Sequence, residues 1–270
     1  MNTFDRAHLL RLALRSYLRQ TARDFEIVVA DDGSTDDTPA VVEEFRKIAP
    51  FDVDYVRQEH HGHRRAAILN RGIERCRHSQ VLFTDCDSLA FSDLIEVHLR
   101  AARPDRLLCG GYLRLDREQT EKLTDDDAAS GRFEALLDAS GRRELRRKHL
   151  RARWQILRRR RRRPHNMGLN YSVPREALMR INGYDEEFEG WGSADGDVRE
   201  RMRAIGVRPF SLYDQAIVLH MWHPVERTKL DAEKLRRNRA HATRRDVPAR
   251  CRRGLRALDA PGGPADGAHP

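Results

Sequence analysis

Apolar residues recur at helical spacing from residue 7 to 19, where Leu9, Leu10, Leu12, Ala13, Tyr17 and Leu18 form one stripe. The pattern then changes. Phe25–Ala30 reads as a buried strand that runs straight into Asp31-Asp32-Gly33-Ser34-Thr35-Asp36-Asp37-Thr38-Pro39. Thr38 followed by Pro39 is a cap with proline at the first helical position, which predicts a helix over 39–48. Val53–Arg57 reads as a strand, Arg64–Arg77 as a helix and Val81–Thr84 as a buried strand ending at Asp85-Cys86-Asp87. A helix from Ser92 to about Ala102 and a strand over Leu107–Gly110 complete the first half. Alternating strands and helices predict an α/β sheet covered by helices.

The second half is less regular. Residues 112–140 are polar and weakly patterned, and 142–163 form a charged helix stopped by Pro164. A strand (168–173), a helix (174–181), an acidic turn region (182–197), a helix (197–204) and a strand (216–220) follow. Beyond Pro248 the composition reads as a disordered tail. The expected organisation is a first half of alternating elements (1–110), a basic helical insert (111–165), a second half of mixed elements (166–224), and a basic helix with tail (225–270).

Composition adds two constraints. Of 270 residues 39% are hydrophobic, enough for a core, while the longest apolar runs fall far short of the roughly 20 residues that span a bilayer. With no leader pattern and no paired cysteine spacing, a soluble cytoplasmic protein with reduced thiols is expected. The net charge of +9 is concentrated. Residues 142–163 hold 13 Lys/Arg and one acid, and 226–256 hold 12 Lys/Arg and four acids, so the remaining body is acidic.

Two carboxylates at a strand tip, followed by glycine and hydroxyls, suit ribose hydroxyls and base N–H groups. Asp85 and Asp87 point to one side of a strand end. Such a pair repels unless a cation compensates, and oxygen donors select Mg²⁺ or Mn²⁺. A bare Asp-x-Asp is common by chance, so its neighbours decide its meaning.

Those neighbours carry a resemblance. Met1–Arg6 and Phe25–Thr38 resemble the opening blocks of inverting family-two glycosyltransferases of the GT-A fold. Gln58–Gly72 resembles their segment ending in A-R-N-x-G, and Asp85-Cys86-Asp87 their metal motif. Gly168–Pro174 and Ile181–Gly192 are similar to a galactosyltransferase C-terminal module, also found in bacterial chondroitin polymerases. The resemblance covers roughly residues 1–224. It implies a Rossmann-like mixed sheet and metal-dependent inverting transfer of a hexose or N-acetylhexosamine from a UDP-sugar to a glycan or lipid-linked acceptor.

By position, it implies that Asp31 and Asp32 hold uracil and ribose, that Arg64 and Asn70 line the nucleotide side, and that Asp85 and Asp87 bind Mn²⁺ or Mg²⁺ with the diphosphate. His220 or His223 completes the metal shell, with His220 preferred. Asp195 is the expected catalytic base, and Trp191, Gly192 and Asp197 the sugar contacts. The chain departs from the pattern at Leu69, Ala194 and Gly196, which leaves a catalytically degenerate protein as an alternative. Another is a binder of anionic polymers through the Arg-rich segments. Their lack of interleaved aromatics argues against nucleic acid; a solvated helix face is the first reading of such a run, with peripheral contact with an anionic membrane as a further use to test. Finally, Met1–Arg6 already resembles the turn after a first strand, so that strand is expected to be missing.

Overall fold

The computed structural model describes residues 1–158, 160, 164–165, 168–190, 192–224, 232–244 and 247–256. In the first half the elements are β1 (Asn2–Thr3), α1 (Ala7–Ser16), β2 (Glu26–Asp31), α2 (Thr38–Arg46), β3 (Asp52–Arg57), α3 (Arg65–Arg75), β4 (Gln80–Phe83), β5 (Ser88–Ala90), α4 (Leu94–Ala101) and β6 (Arg106–Arg114). The second half adds α5 (Arg117–Glu121), α6 (Asp125–Ser130), α7 (Ala139–Leu157), β7 (Tyr171–Pro174), α8 (Arg175–Ile181), α9 (Ala194–Ala204), β8 (Arg208–His220) and α10 (Ala232–Thr243).

Two sheets result. β1, β2 and β3 are parallel, with Ile27, Val28 and Val29 of β2 buried. The second sheet runs β4-β7-β6-β8-β5, with β6 and β8 parallel and the other pairs antiparallel. Asn2 joins the two: its N–H donates to the Thr84 carbonyl and its own carbonyl accepts from the Cys86 N–H at 3.1 Å. The tips of β2 and β4, and with them Asp31, Asp32 and Asp85, are thereby set side by side. The helical stripe of α1 is realised in buried Leu10, Ala13 and Leu14, and its first N–H donates to Asp36 at 2.8 Å.

β1 is a short strand where the sequence predicts only a turn. Past Met1, between β2 and β4, an apolar groove of about 430 Å³ is lined by Ile27, Val28, Ile73, Val81 and Phe83 among others. Among the described residues β4 pairs along only one edge, toward β7. The Met1 ammonium donates to the Val28 carbonyl at 2.8 Å within this groove, and burial lowers its pKa.

In the second sheet, Asn170 ties three strands. Its Nδ2 donates to the carbonyls of Gly111 at 2.8 Å and Ala216 at 3.0 Å, and its Oδ1 lies 3.0 Å from His98 Nε2. The pairing of β6 with β8 is irregular at Gly110/Gly111, and Asn170 leaves room only for glycine: a Cβ on Gly110 would sit 2.3 Å from its amide. Buried His98 also contacts Ser172 Oγ at 2.8 Å, and desolvation lowers its pKa from 6.5 to about 4.

Several boundaries differ from the sequence reading. Residues 112–140 contain α5 and α6, each closed by a capping box (Asp116 with Gln119, Thr124 with Asp127), with Ala128, Phe133 and Leu137 buried. Two local side-chain locks thus replace the missing periodicity. α7 starts earlier and ends at Leu157, and α9 begins at Ala194 rather than 197. β8 is far longer than the predicted 216–220. The expected tail is overturned for Cys251–Arg256. Cys251 is buried, and Asn182 Nδ2 donates to the Cys251 and Arg256 carbonyls at 3.0 and 2.8 Å. The rest of the tail, 257–270, lies outside the described residues.

Two predictions follow from this framework. His98 stays neutral in the fold but charges readily when unfolded, so its contribution is fully present above pH 6.5 and is lost as pH falls toward about 4. The span is worth roughly 3 kcal/mol. Urea titrations from pH 7 to 4 should show a shallower decline for His98→Gln than for the native chain, and parallel declines would refute the assignment. For the groove, five alternating Val and Ser residues ahead of Met1 should add about 2 kcal/mol, roughly 4–8 °C in Tm. A Gly/Ser extension of equal length should not, and equal Tm values would show that the groove accepts no strand.

Candidate active site

β2 delivers Asp31 and Asp32 to a tight turn. Gly33 has φ +88°, and a Cβ there would lie 2.6 Å from the His60 backbone nitrogen, so the turn requires glycine. Asp31 is fully buried. Its Oδ1 accepts from Ser34 N at 2.9 Å and Ser34 Oγ at 2.6 Å, and its Oδ2 from the Tyr55 hydroxyl. These contacts hold the turn together. Asp32 accepts from the Gln58 amide and from Arg64 N at 3.0 Å, and it lines a cavity of about 560 Å³.

Phe4, Arg6, Arg65, Asp85, Asp87 and Trp222 also line that cavity. Arg64, expected on the nucleotide side, stands just before α3 and donates to the Glu59 carbonyl at 2.7 Å. Arg65 lines the cavity instead. Asn70 is turned elsewhere too: Nδ2 donates to the Tyr184 carbonyl and Glu186 Oε1, each at 2.9 Å, while Oδ1 accepts from Tyr184 N at 2.8 Å. Asn70 therefore clamps the Tyr184 backbone and the Glu186 carboxylate.

Asp87 gathers the remaining candidates. The Met221 N–H donates to its carbonyl at 2.8 Å, and the β5–β8 register sets Ser88 opposite His220. His220 Nε2 consequently lies 3.5 Å from Asp87 Oδ1, and His223 Nε2 3.3 Å from Oδ2. Ligand atoms of these three residues all fall within 4.8 Å of one another. Arg6 Nη1 adds a contact to Asp87 Oδ2 at 3.0 Å. Burial would raise the Asp87 pKa, but His223, His220 and Arg6 together hold it below the usual carboxylate range. Its Oδ1 is buried with no hydrogen-bond partner. One imidazole nitrogen beside each oxygen of this carboxylate makes a donor set that suits a divalent cation. At Asp85 burial raises the pKa more than Arg65 lowers it.

Arg65 connects this cluster to the expected base. Its Nη2 lies 3.5 Å from Asp85 Oδ1, and its Nη1 donates to Asp195 Oδ1 at 3.1 Å. The Tyr184 hydroxyl donates to the same oxygen at 2.8 Å and is itself paired with the Tyr171 hydroxyl. Because α9 starts at Ala194, Asp195 occupies its first turn, where the helix dipole favours a carboxylate. Two arginines in tandem, Arg64 and Arg65, were the only sequence signal for this bridge, and nothing distinguished which would turn inward.

Asp197, expected at the sugar, faces the interior. It is 1% exposed and accepts from Arg201 Nε at 2.6 Å, while Arg201, fully buried, also donates to the Ile181 and Gly183 carbonyls at 2.8 Å each. The spacing of four residues within a helix, flanked by apolar Val198 and Met202, was the signal for this internal pair. Gly192 has φ +97° and sits near Leu235 of α10. Trp191 lies outside the described residues.

Residues 1–169 match the family model described as glycosyl transferase family 2, and residues 148–238 the one described as the N-terminal domain of galactosyltransferase. The chain is similar to validoxylamine A glucosyltransferase of Streptomyces hygroscopicus subsp. jinggangensis (strain 5008), with 30% identity over 226 residues, 76% of this chain and 50% of that one. It is also similar to chondroitin synthase of Pasteurella multocida (strain Pm70), with 24% identity over 250 residues, 86% of this chain and 25% of that one. The chain thus spans about half of the first relative and a quarter of the second. The mannosyltransferase PcManGT from Pyrobaculum calidifontis, solved with GDP-Man and Mn²⁺, aligns with TM-score 0.53 at 18% identity, covering 89% of this chain and 59% of that one. S. aureus TarS 1-349 with UDP aligns with TM-score 0.56 at 16% identity, covering 83% and 59%. These likenesses show the GT-A fold.

The two acids of α9 should separate experimentally. Asp197→Ala strands a buried arginine and should cost about 3–5 kcal/mol in urea unfolding, whereas Asp195→Asn should change stability by less than about 1 kcal/mol. Equal losses at both positions would contradict the division of roles.

Proposed function

The chain belongs to glycosyl transferase family 2, and we propose that it transfers a hexosyl or N-acetylhexosaminyl group, with inversion, from a UDP-sugar to a hydroxyl of a glycan or lipid-linked acceptor at the cytoplasmic face of a membrane. The observation that carries this reading is the convergence of Asp87, His220 and His223 on one cavity with Asp32 and Arg65, which links onward to Asp195. The volume of that cavity is in the range of small-molecule sites.

In this reading Asp32 binds the ribose and Asp31 keeps the turn in shape. Arg6 and Arg65 supply positive charge toward a diphosphate. Asp87, His220 and His223, with Asp85 beside them, would hold Mn²⁺ or Mg²⁺, which when bound stabilises negative charge on the leaving diphosphate. Asp195 accepts the proton of the acceptor hydroxyl as its oxygen attacks the anomeric carbon from the face opposite the departing UDP. Arg65 and Tyr184 fix the orientation of that carboxylate. Ala194 opens α9 and packs against the core, so its replacement of an acid leaves the Asp195 contacts in place. These contacts favour an active enzyme over a degenerate one.

UDP release from a panel of UDP-sugars, with Mn²⁺ and with chelator, tests the activity. Asp85→Asn and Asp87→Asn should each abolish Mn²⁺-dependent UDP binding in calorimetry, and unchanged affinity in both would sink the metal assignment. Asp195→Asn should retain donor binding and lose about 10²–10⁴-fold in transfer. A native rate in that variant would place the base elsewhere.

A further inference from the structure

α7 has two apolar faces, and the core uses one. Leu145, His149 and Ala152 are buried, with His149 Nδ1 3.1 Å from both Ser211 Oγ and Asp214 Oδ1 at β8. On the opposite side stand Leu150, Trp154 and Leu157, exposed at 54%, 47% and 81%. At about 100° per residue these three fall within one narrow arc, roughly opposite the buried face. Exposed Arg143, Arg146 and Arg147 extend the same arc toward the helix start, and Arg153 and Arg158 flank it. The one acid of α7, Glu144, is paired with Lys148 at 2.6 Å, away from the stripe. The Trp154 ring carries the Arg158 guanidinium at 4.9 Å and that of Arg160 at 6.0 Å.

We propose that this outer face of α7 docks on an anionic lipid bilayer. Leu150, Trp154 and Leu157 enter the boundary between headgroups and acyl chains, and the surrounding arginines meet lipid phosphates. An apolar centre with a cationic border is the pattern of a helix lying in a membrane interface, and charge plus insertion supplies the two signals that stable anchoring needs. A nucleic acid would instead favour cations at the centre, where this helix places leucine and tryptophan. The docking argument is independent of the transfer reading. If both hold, the acceptor is presented near the surface: the chain after α7 returns at Gly168, where a Cβ would lie 2.2 Å from Arg65 Nη2 and 2.8 Å from Asp195 Oδ2.

The test is flotation of the full chain with phosphatidylcholine vesicles, with and without phosphatidylglycerol, at ~0.15 M salt. The native chain should float with the anionic vesicles alone. Leu150→Gln/Trp154→Gln/Leu157→Gln and Arg146→Gln/Arg147→Gln/Arg153→Gln should each reduce the floated fraction about tenfold. All these side chains are exposed, so circular dichroism melts should match the native chain. Brominated lipid should quench tryptophan emission of the native chain more than that of Trp154→Phe. Undiminished flotation of the Leu/Trp variant, or binding to heparin or DNA without flotation, would overturn membrane docking in favour of plain polyanion binding. UDP release from a soluble donor should be unchanged in both triple variants, so a failure of docking and a failure of the transferase reading are read separately.

Discussion

A carboxylate withdrawn from water must be compensated, and the layout of this chain follows from how each one is. Asp31 is satisfied by its own turn, which fixes the path from β2 to α2. Asp32 takes the backbone N–H at the start of α3 and so aims that helix. Asp197 is answered by Arg201, whose remaining donors hold the end of α8. Asp87 differs. Its neighbours are cationic or cation-binding groups drawn from β1's end, β8 and the loop beyond, and one of its oxygens keeps no hydrogen bond. Asp197 Oδ1 also lacks one, but it faces an arginine, Arg244, at 3.7 Å, not a pair of imidazoles. Asp31, Asp32 and Asp197 thus face fixed donors or arginine, whereas Asp87 faces two imidazoles at the cavity.

The first half was legible in the sequence because its strands are continuous apolar runs ending in charged turns. Asp85 and Asp87 stood out at such an ending, His220 and His223 came from the family resemblance, and the structure sets both histidines against Asp87 although more than a hundred residues separate them in sequence. The second half was harder for a physical reason. α5 and α6 are held by capping boxes, a local device with no periodicity, and β6 and β8 include exposed and polar positions that hide their length. Arg65 was overlooked because side-chain direction at a helix start depends on the neighbouring turn, and residue type alone does not show that Asn70 and Asp197 have internal partners in Tyr184 and Arg201. Asn70 in particular satisfies the Tyr184 carbonyl and N–H and the Glu186 carboxylate, a demand that only the folded chain reveals.

The same economy of few, well-connected polar groups appears behind the cavity. Asn170 joins β6, β7 and β8 through its amide, and His98 closes the network from α4. This buried cluster lies beside the register shift at Gly110/Gly111, beyond which β6 and β8 stay paired as far as Arg114 and His220, both at the cavity. Geometry at the cavity is therefore set by groups that never touch it.

The pairing of β5 with β8 also fixes the order of assembly. Asp87 and His220 are neighbours only because strands from distant parts of the chain close against each other, with β6 as the parallel partner of β8. Such a contact closes a long loop and is intrinsically slow to form. A nascent chain emerging from the ribosome can shape the Asp31–Ser34 turn early, since all its parts lie within the first sixty residues. The cluster of Asp87, His220 and His223 cannot exist until His223 has been synthesised. The first half is thus laid down before either histidine, and Asp87 meets its full set of neighbours only once β8 has closed and residue 223 has followed it.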